Sequence, residues 1–168
     1  MRYNTIKLND IANGKGINIS LYTQGCPHHC KGCFNSETWD FNGGKEFTEE
    51  TKEYLISNLN TNGIDRNLSI LGGEPLCDQN IDGVIDLCKE VKKLYPHKII
   101  YVWTGYIIED FNDKQKEIFE YVDYIIDGPF KLDKKDLTLE MRGSSNQRII
   151  HIEKSFNEYK LKNKHITI

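Results

Sequence analysis

Short apolar runs, separated by longer amphipathic stretches, organise this chain. Residues 17–23 alternate apolar and polar positions and are β-branched, which predicts a strand. Thr48 can cap a helix running to about residue 60, with Leu55 and Leu59 on one face. Residues 68–71 form a short apolar strand that stops at Gly72-Gly73. Ile81, Val84, Ile85, Cys88, Val91 and Leu94 follow the helical period, and Pro96 closes that segment. A buried strand over 99–103 ends at Thr104-Gly105. Asn112 is placed to cap a helix to about residue 122, with Ile118, Phe119 and Val122 inward. Residues 124–126 form another strand, ending at Asp127-Gly128, and 148–152 the last.

Strands that alternate with helices predict an α/β fold with a mostly parallel sheet and crossover helices. Five or so units would make an open, incomplete (β/α) barrel rather than a closed eight-stranded one. Crossovers of one hand put all strand C-terminal ends on one edge, where parallel α/β folds bind ligands. The segments after residue 23, Gly72-Gly73, Thr104-Gly105 and Asp127-Gly128 should therefore meet. Any one of these glycines alone reads more simply as a turn.

Composition narrows the class. At 168 residues one domain, 1–168, is the expectation. With 38% hydrophobic and 28% charged residues a core can form and disorder is not expected. A net charge of −3 argues against a nucleic-acid surface. No apolar run is long enough to cross a bilayer, and the N-terminus has no apolar leader. Free thiols without an export signal point to the cytoplasm.

The candidate chemistry lies in Cys26, Cys30 and Cys33, spaced Cys-x3-Cys-x2-Cys directly after the first predicted strand. Three thiolates on one loop can hold three irons of a 4Fe–4S cubane and leave the fourth iron open. The alternatives are a zinc site with His28 or His29 as fourth ligand, or a loop without metal. Zinc spacings usually place the second ligand pair a dozen or more residues away, and Cys77 and Cys88 do not form such a pair. Five cysteines, an odd count, disfavour a disulfide framework. Cys88 falls on the apolar face of a helix and reads as structural, as does Cys77. Gly72-Gly73-Glu74-Pro75 is the second signal. Two glycines let a ligand approach the backbone, exposed carbonyls there can accept from an ammonium group, and Pro75 keeps Glu74 extended.

On these two motifs the chain resembles the radical S-adenosylmethionine enzymes. Within them it is similar to the small activases of anaerobic (class III) ribonucleotide reductase. The resemblance takes in residues 10–14, 26–35, Thr38-Trp39, 72–75, 102–106, 127–130 and 142–148, nearly the whole chain. The last two segments and the small size set it apart from longer activases with extra cluster domains. The resemblance implies that Cys26, Cys30 and Cys33 hold the cluster, whose open iron is chelated by S-adenosylmethionine. It implies that the backbone of Gly72, Gly73 and Glu74 receives the ammonium end, and that Gly32, Cys33 and Phe34 lie along the adenosine. Many members carry an aromatic residue where this chain has Gly32; here Phe34 follows the cysteine instead. Reductive cleavage would yield methionine and a 5′-deoxyadenosyl radical that takes hydrogen from a glycine of the reductase's glycyl-radical subunit. A reduced flavodoxin or ferredoxin would supply the electron. Related activases place an acidic residue at the corresponding strand end, so the resemblance further suggests that Asp127, with backbone near Thr104, helps to hold a monovalent cation. Activation of another glycyl-radical enzyme, small-molecule radical chemistry and a non-catalytic metal module are the competing readings.

Overall fold

The structure is a computed structural model that describes residues 1–155 and 158–162. The one-domain expectation also covers 156–157 and 163–168, which lie outside the described residues. Eight strands are described: β1 (Arg2–Asp10), β2 (Asn18–Gln24), β3 (Lys45–Glu46), β4 (Asn67–Gly72), β5 (Ile100–Trp103), β6 (Tyr124–Asp127), β7 (Arg148–Ser155) and β8 (Glu158–Lys162). They form one open sheet in the order β3-β1-β2-β4-β5-β6-β7-β8. The centre, β2-β4-β5-β6, is parallel. The flanks are antiparallel: β3 and β1 on one side, β7 and β8 on the other.

The predicted strands are all present, but the sheet is more mixed than their alternation implied. β1 was not foreseen. Most of its residues are only half-buried, so the polar side chains of Arg-Tyr-Asn-Thr are tolerated and no apolar run marks it. Register shifts break its pairing with β2 at two places. The strand predicted over 148–152 runs antiparallel to β6 and continues to Ser155. An antiparallel return needs no crossover helix, and only a short 3-10 turn over Leu132–Lys134 lies between them.

Three helices make the crossovers. α1 (Glu49–Ser57) joins β2 to β4, its first turn capped by Thr48, whose side chain accepts from the Thr51 amide. α2 (Ile81–Leu94) joins β4 to β5 and buries the apolar face read from its period. α3 (Asp113–Lys116) starts at the expected cap: Asn112 and Gln115 each accept the other's amide hydrogen, at 2.8 and 3.0 Å. It is shorter than expected and continues as a tighter 3-10 turn over Glu117–Glu120, which still turns Ile118 and Phe119 inward.

Strand parity divides the core. Ile19, Leu21, Leu68, Ile70, Ile100, Val102 and Ile125 face the helices in the main apolar cluster. Tyr101, Trp103, Tyr124 and Ile126 point to the opposite face and form a smaller aromatic cluster. That second face carries no helix from the three crossovers, and it leaves room beside the strand ends.

Candidate active site

In register, Thr23 pairs with Gly72, Ile70 with Val102 and Trp103 with Ile126, so the parallel strands end together. A cavity of about 430 Å³ opens at this edge, within the range of cofactor sites. Cys26, Cys30, Cys33 and Phe34 line one wall, and Gly72, Gly73, Glu74, Thr104, Gly105 and Gly128 another. The loop of residues 129–147 contributes Phe130, Leu137, Leu139, Met141, Arg142 and Gln147.

Local hydrogen bonds set the cysteine loop. The amides of Gly25 and Cys26 donate to the carbonyls of Thr38 and Trp39, at 2.7 and 3.2 Å. The Cys33 amide donates to Cys30 O, and Cys33 Sγ accepts from the Asn35 amide at 3.4 Å. Cys26 is buried and the other two are half-buried. Burial pushes the Cys26 thiol up to about 11 and raises Cys30 as well, so the protons stay on until a cation replaces them. Among the described residues no three His, Cys, Asp or Glu side chains converge on a single metal-sized point. A cubane does not require that, since each thiolate takes a different iron.

Glu74 is the hub. Its side chain is fully buried, yet four donors meet the carboxylate: the Leu76 amide at 2.9 Å, Thr104 Oγ1 at 2.8 Å, the Gly105 amide at 2.7 Å and His28 Nε2 at 2.8 Å. The Glu74 amide donates to Gly25 O at 2.8 Å, and its carbonyl accepts from Asn80 Nδ2 at 3.0 Å. One residue thus ties the ends of β4 and β5 to the cysteine loop. Tyr106 packs its ring against His28 at 4.6 Å, and burial together with Glu74 pushes its phenol up to about 12.

Gly73 is explained differently from the reading made on sequence. A Cβ there would lie 2.4 Å from Gly25 O. The glycine lets the motif pack against the cysteine loop itself.

Of the expected residues, Gly32 and Asp127 lie outside the cavity lining and Thr104 lies within it. Gly32 does not line the cavity; its backbone is left-handed, with φ 74°, and its Cα faces Leu132. Asp127 is also outside the lining, although it sits at the predicted strand end. Its carboxylate takes a two-pronged contact from Arg148, at 2.9 and 2.5 Å, and the Ile108 amide at 3.0 Å. Thr104 lines the cavity, but its hydroxyl is engaged by Glu74.

Sequence reasoning missed several wall residues. His28 entered the sequence analysis only as a candidate zinc ligand. Trp39 and Arg142 lie inside segments noted only for the resemblance, and Trp103 in a predicted strand whose side-chain direction the pattern left open. Trp103 Nε1 donates to Met141 O at 2.7 Å. Trp39 Nε1 and Arg142 Nε are buried without any partner. An all-thiol donor set beside unpaired N–H groups fits a cluster rich in sulfur acceptors.

Two comparisons bear on this site. A family model described as a 4Fe-4S single cluster domain matches residues 12–150. The anaerobic ribonucleoside-triphosphate reductase-activating protein of Salmonella typhimurium is 39% identical over 153 residues, covering 90% of this chain and 99% of that protein. Its counterpart in Escherichia coli (strain K12) is 38% identical over the same shares. The counterpart of Enterobacteria phage T4 is 41% identical over 149 residues, 89% of this chain and 93% of that protein. The chain belongs to the family of anaerobic ribonucleoside-triphosphate reductase-activating proteins, built on a 4Fe-4S single-cluster domain.

Proposed function

We propose that this chain is a radical S-adenosylmethionine activase that places a glycyl radical on an anaerobic ribonucleotide reductase. The open sheet is read as the incomplete (β/α) barrel of that superfamily. The observation that carries the reading is the meeting of three thiols with the Gly72–Glu74 strand end in one cavity.

Cys26, Cys30 and Cys33 would hold the cluster. When bound, it supplies one electron that breaks the C5′–S bond of S-adenosylmethionine, and the carbon radical takes hydrogen from the partner's glycine. The chain's residues bind, orient and shield. Glu74 holds the cysteine loop against β4 and β5 through its four donors. Because its carbonyl is bonded to Asn80, the ammonium end is assigned chiefly to backbone at Gly72 and Gly73. Phe34 and Phe130, with ring centres 5.1 Å apart, offer an aromatic surface for the adenine. The apolar side chains of Leu137, Leu139 and Met141 exclude water from the mouth.

A monovalent cation held by Asp127 is not carried into this reading, because that carboxylate is engaged by Arg148 and lies outside the cavity lining. The electron is assigned to a reduced flavodoxin or ferredoxin, and the setting to the cytoplasm. Among the described residues no helix is long and apolar enough to cross a membrane.

The test is anaerobic reconstitution with iron and sulfide, then reduction in the presence of S-adenosylmethionine. Stoichiometric methionine and 5′-deoxyadenosine are expected. A chain that takes up four irons yet releases neither product would exclude the activase reading.

A further inference from the structure

Two indoles line the cavity, and they differ in one respect. Trp103 Nε1 donates to a backbone carbonyl, whereas Trp39 Nε1 is buried and has no acceptor. A buried donor without a partner is costly, and native structures rarely keep one unless something absent from the protein satisfies it.

Trp39 is not free to turn elsewhere. Its amide donates to Ser36 O at 3.2 Å, and its carbonyl accepts from the amide of Cys26, the first cluster cysteine. Its ring is stacked on His29, with centroids 4.7 Å apart and planes 12° from parallel. The backbone of Trp39 is thus tied to Cys26, and its ring is packed on His29 of the same loop. Trp39 and the three cysteines line the same cavity, so a cysteine thiolate or a cluster sulfide is an acceptor that the filled site would offer. Cys33 Sγ already shows this mode, accepting from the Asn35 amide.

We propose that the Trp39 indole N–H donates a hydrogen bond to a sulfur of the cluster held by Cys26, Cys30 and Cys33, and so raises the potential at which the cluster takes its electron. The inference rests on the cluster assignment made above. Reduction adds one negative charge, delivered by an external one-electron donor, and that charge spreads onto the sulfurs. A donor aimed at a sulfur stabilises the reduced form more than the oxidised form, and hydrogen bonds to the sulfurs are among the determinants of cluster potentials. No bond is made or broken, so Trp39 is a positioning and tuning residue.

The test uses the full chain, reconstituted anaerobically and titrated with dithionite, the reduced cluster being followed by its paramagnetic signal. Trp39→Phe keeps an aromatic ring for His29 and removes only the donor. At a fixed potential near the wild-type midpoint, its ratio of reduced to oxidised cluster should fall about three- to tenfold. That corresponds to a midpoint roughly 30–60 mV lower, at 59 mV per tenfold for one electron. Trp103→Phe, which alters the same cavity but removes a donor already paired, should stay within about twofold of wild type. A Trp39→Phe ratio within twofold of wild type overturns the proposal. Should that variant fail to take up iron, Trp103→Phe labelled with 15N in its remaining indole decides. Hyperfine coupling of that nitrogen to the reduced cluster is expected, and its absence overturns the proposal. A wild-type chain that assembles no four-iron cluster overturns the cluster assignment, and this inference with it.

Discussion

At the scale of single residues, the chemistry concentrates in three thiols and one carboxylate. Cys26, Cys30 and Cys33 share a wall of the cavity, while Cys77 and Cys88 are buried and absent from its lining. Replacing any of the first three by Ala should remove most of the iron from the reconstituted chain and abolish S-adenosylmethionine cleavage, because a cubane held by two thiolates is readily lost. Cys77→Ser and Cys88→Ala should retain both iron and cleavage. Iron and sulfide analysis decides, and a Cys77 variant that loses the cluster while a Cys30 variant keeps it would reverse the assignment. Glu74 acts at this scale as well. The sequence suggested only its backbone, because a Gly-Gly-Glu-Pro segment says nothing about where the carboxylate turns. What draws the side chain inward is a set of donors from three separate segments: Leu76, Thr104-Gly105 and His28. Hydrogen bonds to a charged group are each worth about 1.5–3 kcal/mol, so this cluster of contacts is enough to offset burial of a carboxylate.

At the scale of elements, the strand ends matter more than the strands. Gly73 closes on Gly25 with no room for a Cβ. Gly73→Val should therefore displace the cysteine loop and lower iron content together with cleavage. Normal iron content with a lost spectral response to S-adenosylmethionine would instead put the clash on the ligand. On the opposite side, Arg148 at the start of β7 clamps Asp127 of β6 and Glu109 of the preceding loop. Arg148 holds the Glu109 carboxyl down, from 4.5 to about 2. A carboxyl depressed in the fold stabilises it above the unfolded value and loses that contribution as pH falls through the folded one. Apo-chain stability should thus drop between about pH 4.5 and 2, and less steeply in Arg148→Gln. The effect is modest, because Glu109 is half-exposed. Parallel pH profiles for the two proteins would contradict this role. The same arginine is what the sequence reading of Asp127 left out. Its position at a strand end was legible, but its partner lies across an antiparallel pairing that no local pattern announces.

At the scale of the whole molecule, the parallel centre was legible and the flanks were not. Residues 99–103 and 124–126 are apolar on both faces and 68–71 is interrupted only by Ser69, and that signature survives without any context. β1 is only partly covered and carries polar residues, so its sequence resembles a loop. The Cys-x3-Cys-x2-Cys loop was readable because its spacing is itself chemistry. Trp39, Trp103 and Arg142 were not, since only the fold brings their segments to one cavity. The result is a chain whose described residues build the edge of an open sheet into a cavity that gathers the three cysteines and the Gly72–Glu74 strand end.

The most direct test of that account follows the hydrogen. The reconstituted, reduced chain would be mixed with S-adenosylmethionine and an anaerobic ribonucleotide reductase carrying glycine deuterated at its α-carbon. The account predicts a glycyl radical signal on the reductase, its α-hydrogen splitting collapsed, and deuterium in the 5′-deoxyadenosine released. A radical on the reductase with no deuterium in that product, or product formed with no radical, would contradict it.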